Sequence, residues 1–197
     1  TTFPIAILPP AASVYALLAI LTPMSGDFIE NNIQPIGRAE QVLLLGGFYA
    51  PWRLYAKFFY TALLSLGLAP VQEPDRVIGL WYFQASPASY LLVLTLKLPM
   101  IVCALASGIL LYKLVKDMTG GHGRASMAMV AWLANPYVPL TTVMWGTWDV
   151  VALSFTLLSL MLLLRGRIVF SSVSLLIGAA LKVIPIILLP VYFVYLY

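Results

Sequence analysis

The sequence ASYLLVLTLKLPMIVCALASGILLYKL, residues 88–114, decides the fold class of this chain. It is apolar almost throughout and exceeds the roughly 20 residues that a helix needs to cross the hydrocarbon core of a bilayer. Because lipid offers no hydrogen-bond partners to an exposed backbone, such a segment crosses a membrane as an α-helix. The stretch therefore predicts a transmembrane helix that carries one cationic side chain, Lys97, in its outer half.

The composition of the whole chain points the same way. Of its 197 residues, 62% are hydrophobic and 9% are charged, and the mean hydropathy is +0.98. Soluble domains carry about a quarter of charged residues, so a soluble enzyme is excluded. Disordered chains, nucleic-acid-binding domains and disulfide-stapled modules need polar residues, a basic face or several cysteines, whereas this chain has Cys103 alone. We expect an all-α integral membrane protein.

Further apolar runs predict further helices. We interpret the chain as a polytopic transmembrane helix bundle that forms a single domain and is incomplete, since it stops inside an apolar segment. A secretory signal peptide is the alternative for the first run, from Ile5 to Leu21, although no basic residues precede it. The predicted spans are residues 5–24, 88–114, 125–144, 149–164 and 168–184, with 186–197 as the start of a sixth.

Residues 25–87 are too charged to cross a membrane and form a long loop. Within the loop, Tyr55, Phe59, Ala62 and Leu66 recur at helical spacing beside Lys57 and Ser65, which is typical of a short helix lying in the membrane interface.

The distribution of bases orients the bundle. The connection after the second span carries Lys113, Lys116 and Arg124, and the one after the fourth carries Arg165 and Arg167. Short loops rich in Lys and Arg face the cytoplasm. The long loop is then external or lumenal, in the cell membrane or the endoplasmic reticulum membrane.

Four ionisable residues share the predicted outer half. Asp27 follows the first span, Lys97 lies within the second, Asp149 opens the fourth and Lys182 lies late in the fifth. Charges in a span are costly unless they are paired or face a polar cavity. One interpretation is an outward-facing polar site. The other is a set of interhelical ion pairs, such as Lys97 with Asp149, that only hold the bundle together.

The order of these features resembles the GT-C superfamily of multi-pass glycosyltransferases that use polyprenyl-phosphate sugars. The pattern is most similar to the branch that contains the first mannosyltransferase of glycosylphosphatidylinositol-anchor synthesis and its prokaryotic relatives. The resemblance rests on six motifs in a consistent order: Gly26-Asp27-Phe28, Ala39 to Tyr49, Leu96-Lys97-Leu98-Pro99 to Leu110-Leu111-Tyr112, Trp132 to Pro136, Trp145 to Asp149, and Leu181 to Pro185.

The resemblance implies an inverting hexosyltransferase, with mannose as the first candidate sugar, in which Asp27 is the general base. Such a reaction needs cations for the departing phosphate. The candidates for this role are Lys97, Lys182, Arg38, Arg53 and Lys57, and the supporting polar residues are Glu30, Asp149 and Asn135.

We expect neither a cofactor nor a metal, because the leaving lipid phosphate is already ionised. The expected partners are the lipid bilayer, a polyprenyl-phosphate sugar, a glycan, lipid or protein acceptor, and a partner membrane subunit, with no nucleic acid. The alternative function is a non-catalytic membrane subunit, or a lipid or solute transporter, on the same scaffold.

Overall fold

The computed structural model describes residues 4–22, 50–68 and 87–196, with side chains described within 4–22, 54–68 and 90–195. In these ranges the chain forms helices and turns and contains no strand, so the all-α prediction is confirmed for them. The longer helices are α1 (Leu8–Leu21), α2 (Ala50–Ser65), α3 (Pro87–Thr119), α4 (His122–Ala134), α5 (Asp149–Leu164), α6 (Ile168–Leu181) and α7 (Leu189–Leu196). Shorter helical segments are Ile5–Ile7, Tyr137–Pro139, Leu140–Met144 and Ile184–Leu188.

The chain divides into two compact units. The first consists of Thr1–Ala12, Val102–Val138 and Trp148–Tyr197, and the second of Ser13–Ile101 and Pro139–Thr147. Helices α1 and α3 each contribute one part to the first unit and the other part to the second.

In the first unit, α3 and α4 pack around a small apolar core. The Trp132 indole Nε1–H donates to the Ala104 carbonyl at 2.9 Å, which ties α4 to α3. This bond gives a partner to the one polar group of a large apolar side chain. The core consists of Tyr112, Ala125, Met129 and Leu133.

Helices α5 and α6 form an antiparallel hairpin in the same unit. Their contact is close at Gly178, where a Cβ atom would lie 3.2 Å from the Ala152 carbonyl oxygen. Buried hydroxyls add hydrogen bonds, since Ser159 and Ser171 both bond to Tyr192 of α7. In a lipid bilayer the hydrophobic effect does not drive helices together, so helix association depends on close packing at small residues and on hydrogen bonds between helices.

Helix α3 is long and apolar enough to cross a membrane over Tyr90–Thr119. Within the described residues it is the one single helix that is long and apolar enough to do so. The segment Tyr137–Met144 and α5, which are bent by 119°, would together form a second candidate span. Helix α2, which contains the predicted interfacial helix, confirms helical structure in that part of the loop.

The predicted span 125–144 is interrupted. Helix α4 ends at Ala134, and Leu140–Met144 has π-helical hydrogen bonding. The physical reason is Pro136 together with Pro139, since proline removes an amide donor and disfavours helical backbone in the residue before it. The chain also leaves the helix before Pro185, since α6 ends at Leu181, the residue whose carbonyl a helical Pro185 would hit.

Candidate functional site

Lys97 lies on the buried face of α3. The buried residues of this part of the helix, Leu92, Val93, Leu96, Lys97, Met100 and Ile101, recur three and four positions apart. This spacing places them on one side of a helix, and Leu91 and Leu98 on the other side are exposed. The Lys97 side chain is 0% exposed. An ammonium group in such surroundings is stabilised by an anionic or dipolar partner.

One such partner is the end of α1. The Lys97 ammonium donates to the Ala19 carbonyl, with Nζ 3.4 Å from the oxygen. Ala19 lies in the last turn of α1, where carbonyls have no helical donor and where the helix dipole is negative. Lys97 therefore caps the helix that precedes Asp27 in the sequence.

Tyr55 joins α2 to α3 two residues before Lys97. Pro99 has no N–H, so the helical donor that would otherwise bond to the Thr95 carbonyl is missing. The Tyr55 hydroxyl donates to this carbonyl at 2.7 Å. Burial raises the pKa of the Tyr55 phenol, so the phenol stays protonated and remains a donor at neutral pH.

The contact at Tyr55 shows which side of α2 faces α3 and which side carries Lys57. Ala56 is buried and Lys57 is exposed, so the two neighbours lie on different sides of the helix. Arg53 also lies in α2, but the structure does not describe its side chain. Of the predicted phosphate-binding bases in this unit, Lys57 and Lys97 are thus on two helices that are hydrogen-bonded to each other.

Asp149 and Lys182 form an ion pair in the first unit. The Lys182 Nζ lies 2.7 Å from the Asp149 Oδ1, and both side chains are partly exposed. Asp149 is the first residue of α5, where the helix dipole favours an acid. Lys182 follows the last residue of α6 and has extended backbone. The hairpin brings these two ends together.

This ion pair is of the kind expected from the sequence among the charges of the predicted outer half.

The Asn135 side chain forms a hydrogen bond with the backbone just after α4. Its Oδ1 accepts the Tyr137 N–H at 3.0 Å, and the residue is exposed. Side-chain bonds of this type stabilise a turn. The structure thus gives Asn135 a part in the break between α4 and the next helical turn.

Asp27, Glu30 and Arg38 lie outside the described residues. Among the other predicted site residues, the structure brings Asp149 into contact with Lys182. His, Cys, Asp and Glu side chains do not come together in groups of three or more in the ranges that the structure describes.

No protein-family model, curated protein or solved structure matches the chain. The similarity to polyprenyl-phosphate glycosyltransferases therefore rests on the sequence motifs.

Sequence reasoning missed two polar contacts between helices. One is the bond of Tyr55 to α3, which the absent N–H of Pro99 could have indicated. The other is a chain of bonds in the first unit, in which the Ser154 hydroxyl lies 2.8 Å from the Ser107 hydroxyl and 2.8 Å from the Cys103 carbonyl oxygen. Serines inside apolar runs are the available signal for such bonds.

Proposed function

We propose that this chain is a multi-pass membrane glycosyltransferase. It transfers a hexose, with mannose as the first candidate, from a polyprenyl-phosphate donor to an acceptor on the outer or lumenal face, and Asp27 is the general base. The observation that carries the proposal is the Lys97 ammonium, fully buried on α3 and bonded to the end of the helix that precedes Asp27 in the sequence.

The exposed apolar faces support a membrane location. On α6, Val169, Val173, Leu176 and Ile177 are all exposed, and their spacing forms a stripe along one side of the helix. Transfer of each such side chain from water to an apolar environment is favourable by about 1.5–3 kcal/mol of free energy. Contiguous apolar surface of this kind is typical of membrane or protein contact, and lipid is the partner that also suits the 62% hydrophobic composition.

The donor supplies an anion for the predicted phosphate-binding bases. A polyprenyl-phosphate sugar has its lipid tail in the bilayer and its phosphate near the surface. Asp27 follows Thr22, the last described residue after α1, by five positions, and five residues span at most about 18 Å. The base and the cation at the end of α1 therefore belong to neighbouring parts of the chain.

The proposed reaction is a single displacement. The Asp27 carboxylate takes the proton of the acceptor hydroxyl while the hydroxyl oxygen bonds to the anomeric carbon. The bond from that carbon to the phosphate oxygen breaks, and polyprenyl phosphate leaves with the electron pair. Attack opposite to the leaving group inverts the anomeric configuration, and the predicted phosphate-binding bases stabilise the charge that develops on the phosphate.

Replacement of Asp27 tests the proposal. Asp27→Asn should lower sugar transfer from a polyprenyl-phosphate donor by at least about 100-fold, the lower range of general-base contributions. Asp75→Asn, the same change at another acid of the loop, should leave transfer unchanged. Retained transfer in the Asp27→Asn protein, or equal losses in both, would remove Asp27 from the mechanism.

A non-catalytic membrane subunit is the second candidate. The Asp149–Lys182 ion pair favours it, because two of the predicted site charges compensate each other and so contribute to holding α5 and α6 together. This candidate predicts that the purified protein has no transferase activity and that loss of either charge affects stability alone.

A further inference from the structure

Five bases gather in the first unit where α3 is followed by α4 and where α5 is followed by α6. We call these residues the basic end: Lys113, Lys116, Arg124, Arg165 and Arg167, together with the single acid Asp117. Five bases and one acid give the basic end a net charge of +4, which equals that of the whole chain, since the remaining six bases and six acids cancel.

Two side-chain contacts assemble the basic end. Arg165, after α5, donates from Nη2 to the Asp117 Oδ2 at 2.7 Å and from Nε to the same oxygen at 3.2 Å. The Tyr112 hydroxyl lies 2.8 Å from His122 Nδ1, which joins the last turns of α3 to the start of α4. The Arg165–Asp117 contact brings the two connections together, so their charges form one surface. The Tyr112–His122 contact lies within the first connection.

Most of the positive charge on this surface is not compensated. Asp117 pairs with Arg165. In the part of the chain that the structure describes, Lys113, Lys116, Arg124 and Arg167 make no ion pair, and all except the half-buried Lys116 are exposed. Four like charges on one surface repel each other and attract anions.

Exposed apolar side chains border these bases. Met118 is 71% exposed and follows Asp117, while Val169 and Phe170 are 73% and 67% exposed and follow Arg167. Met127, one helical turn beyond Arg124, is exposed as well. A soluble anion would leave these apolar groups in water. A lipid bilayer covers them with acyl chains and presents phosphates at the level of the bases.

We infer that the basic end binds the head groups of anionic phospholipids. The phosphates lie against Lys113, Lys116, Arg124 and Arg167, and the apolar neighbours of these bases contact the acyl chains. Juxtamembrane bases attract anionic lipid in this way. The inference depends on the chain lying in a bilayer and is independent of glycosyl transfer, so either can fail without the other.

The test is lipid selectivity of the full chain in phosphatidylcholine bilayers. Spin-labelled phosphatidylglycerol and spin-labelled phosphatidylcholine are compared by the fraction of each that the protein immobilises. Each base near a membrane surface contributes up to roughly fivefold in affinity for anionic lipid, so the wild type should prefer phosphatidylglycerol by at least about fivefold. The preference should fall as sodium chloride is raised, because salt screens exposed charges.

Two quadruple variants separate charge from side-chain identity. Changing Lys113, Lys116, Arg124 and Arg167 to Gln should abolish the preference, whereas exchanging Lys for Arg and Arg for Lys at the same positions should preserve it. If the quadruple Gln variant fails to fold, the double variant with Gln at the exposed Lys113 and Arg167 should still lower the preference for phosphatidylglycerol by at least about twofold. A wild type without preference, or a Gln variant with the wild-type preference, would overturn the inference.

Discussion

Removal of the Tyr55 hydroxyl tests how α2 is held against α3 beside Lys97. Tyr55→Phe deletes the donor that lies 2.7 Å from the Thr95 carbonyl, whose usual helical donor is missing because of Pro99. A partly buried carbonyl left without a partner costs about 1–2 kcal/mol. For a chain of this size, each kcal/mol lowers the midpoint of thermal unfolding by about 2–4 °C.

A double-mutant cycle identifies the cause. Pro99→Ala restores an N–H at position 99, so in that background Tyr55→Phe should cost about 1 kcal/mol less than in the wild type. Thermal unfolding of the detergent-solubilised protein measures both values. Tyr90→Phe, a change at an exposed tyrosine of α3, should stay within about 0.5 kcal/mol. Equal costs of Tyr55→Phe in both backgrounds would refute the role given to Pro99.

Three further predictions concern the candidate site and the α5–α6 hairpin. Lys97→Met should raise the KM for the polyprenyl-phosphate donor by roughly 10–100-fold, the value of one charge-assisted hydrogen bond, with Lys97→Arg less affected; an unchanged donor KM would remove Lys97 from the phosphate site. Exchanging the charges of the ion pair, Asp149→Lys with Lys182→Asp, should recover only part of the stability lost in each single variant, because a cation at the start of α5 opposes the helix dipole by about 0.3–1 kcal/mol; full recovery in thermal unfolding would contradict this. Gly178→Leu should destabilise the protein by about 1–3 kcal/mol through overpacking against the α5 backbone, and an unchanged unfolding midpoint would show that α5 and α6 separate easily at that point.

The all-α fold class could be predicted from the sequence because it depends on the lengths and the composition of the apolar segments. The break before Pro185 was predictable for a local reason, the missing N–H and the clash of the proline ring. The helix containing Tyr55 followed from apolar spacing, and α2 confirms it. These features depend on residues that are close together in the chain.

Contacts between distant residues could not be predicted in the same way. The sequence suggested a pairing such as Lys97 with Asp149, whereas Asp149 contacts Lys182 because the α5–α6 hairpin brings its two ends together. Between α4 and α5 the chain contains Pro136, Pro139 and a glycine with positive φ, Gly146, and their combined effect on the backbone is not a local one. Such choices are decided by packing, which a single sequence does not display.

The most direct test of the central claim is turnover of a lipid-linked sugar by the wild-type protein. The full chain, reconstituted in lipid vesicles, is incubated with a radiolabelled polyprenyl-phosphate mannose and with an acceptor bearing free hydroxyls. The account predicts that radiolabel moves to the acceptor and that polyprenyl phosphate is released in equal amount, with Asp27→Asn at background. Intact donor after incubation with wild-type protein that is correctly folded would contradict the account.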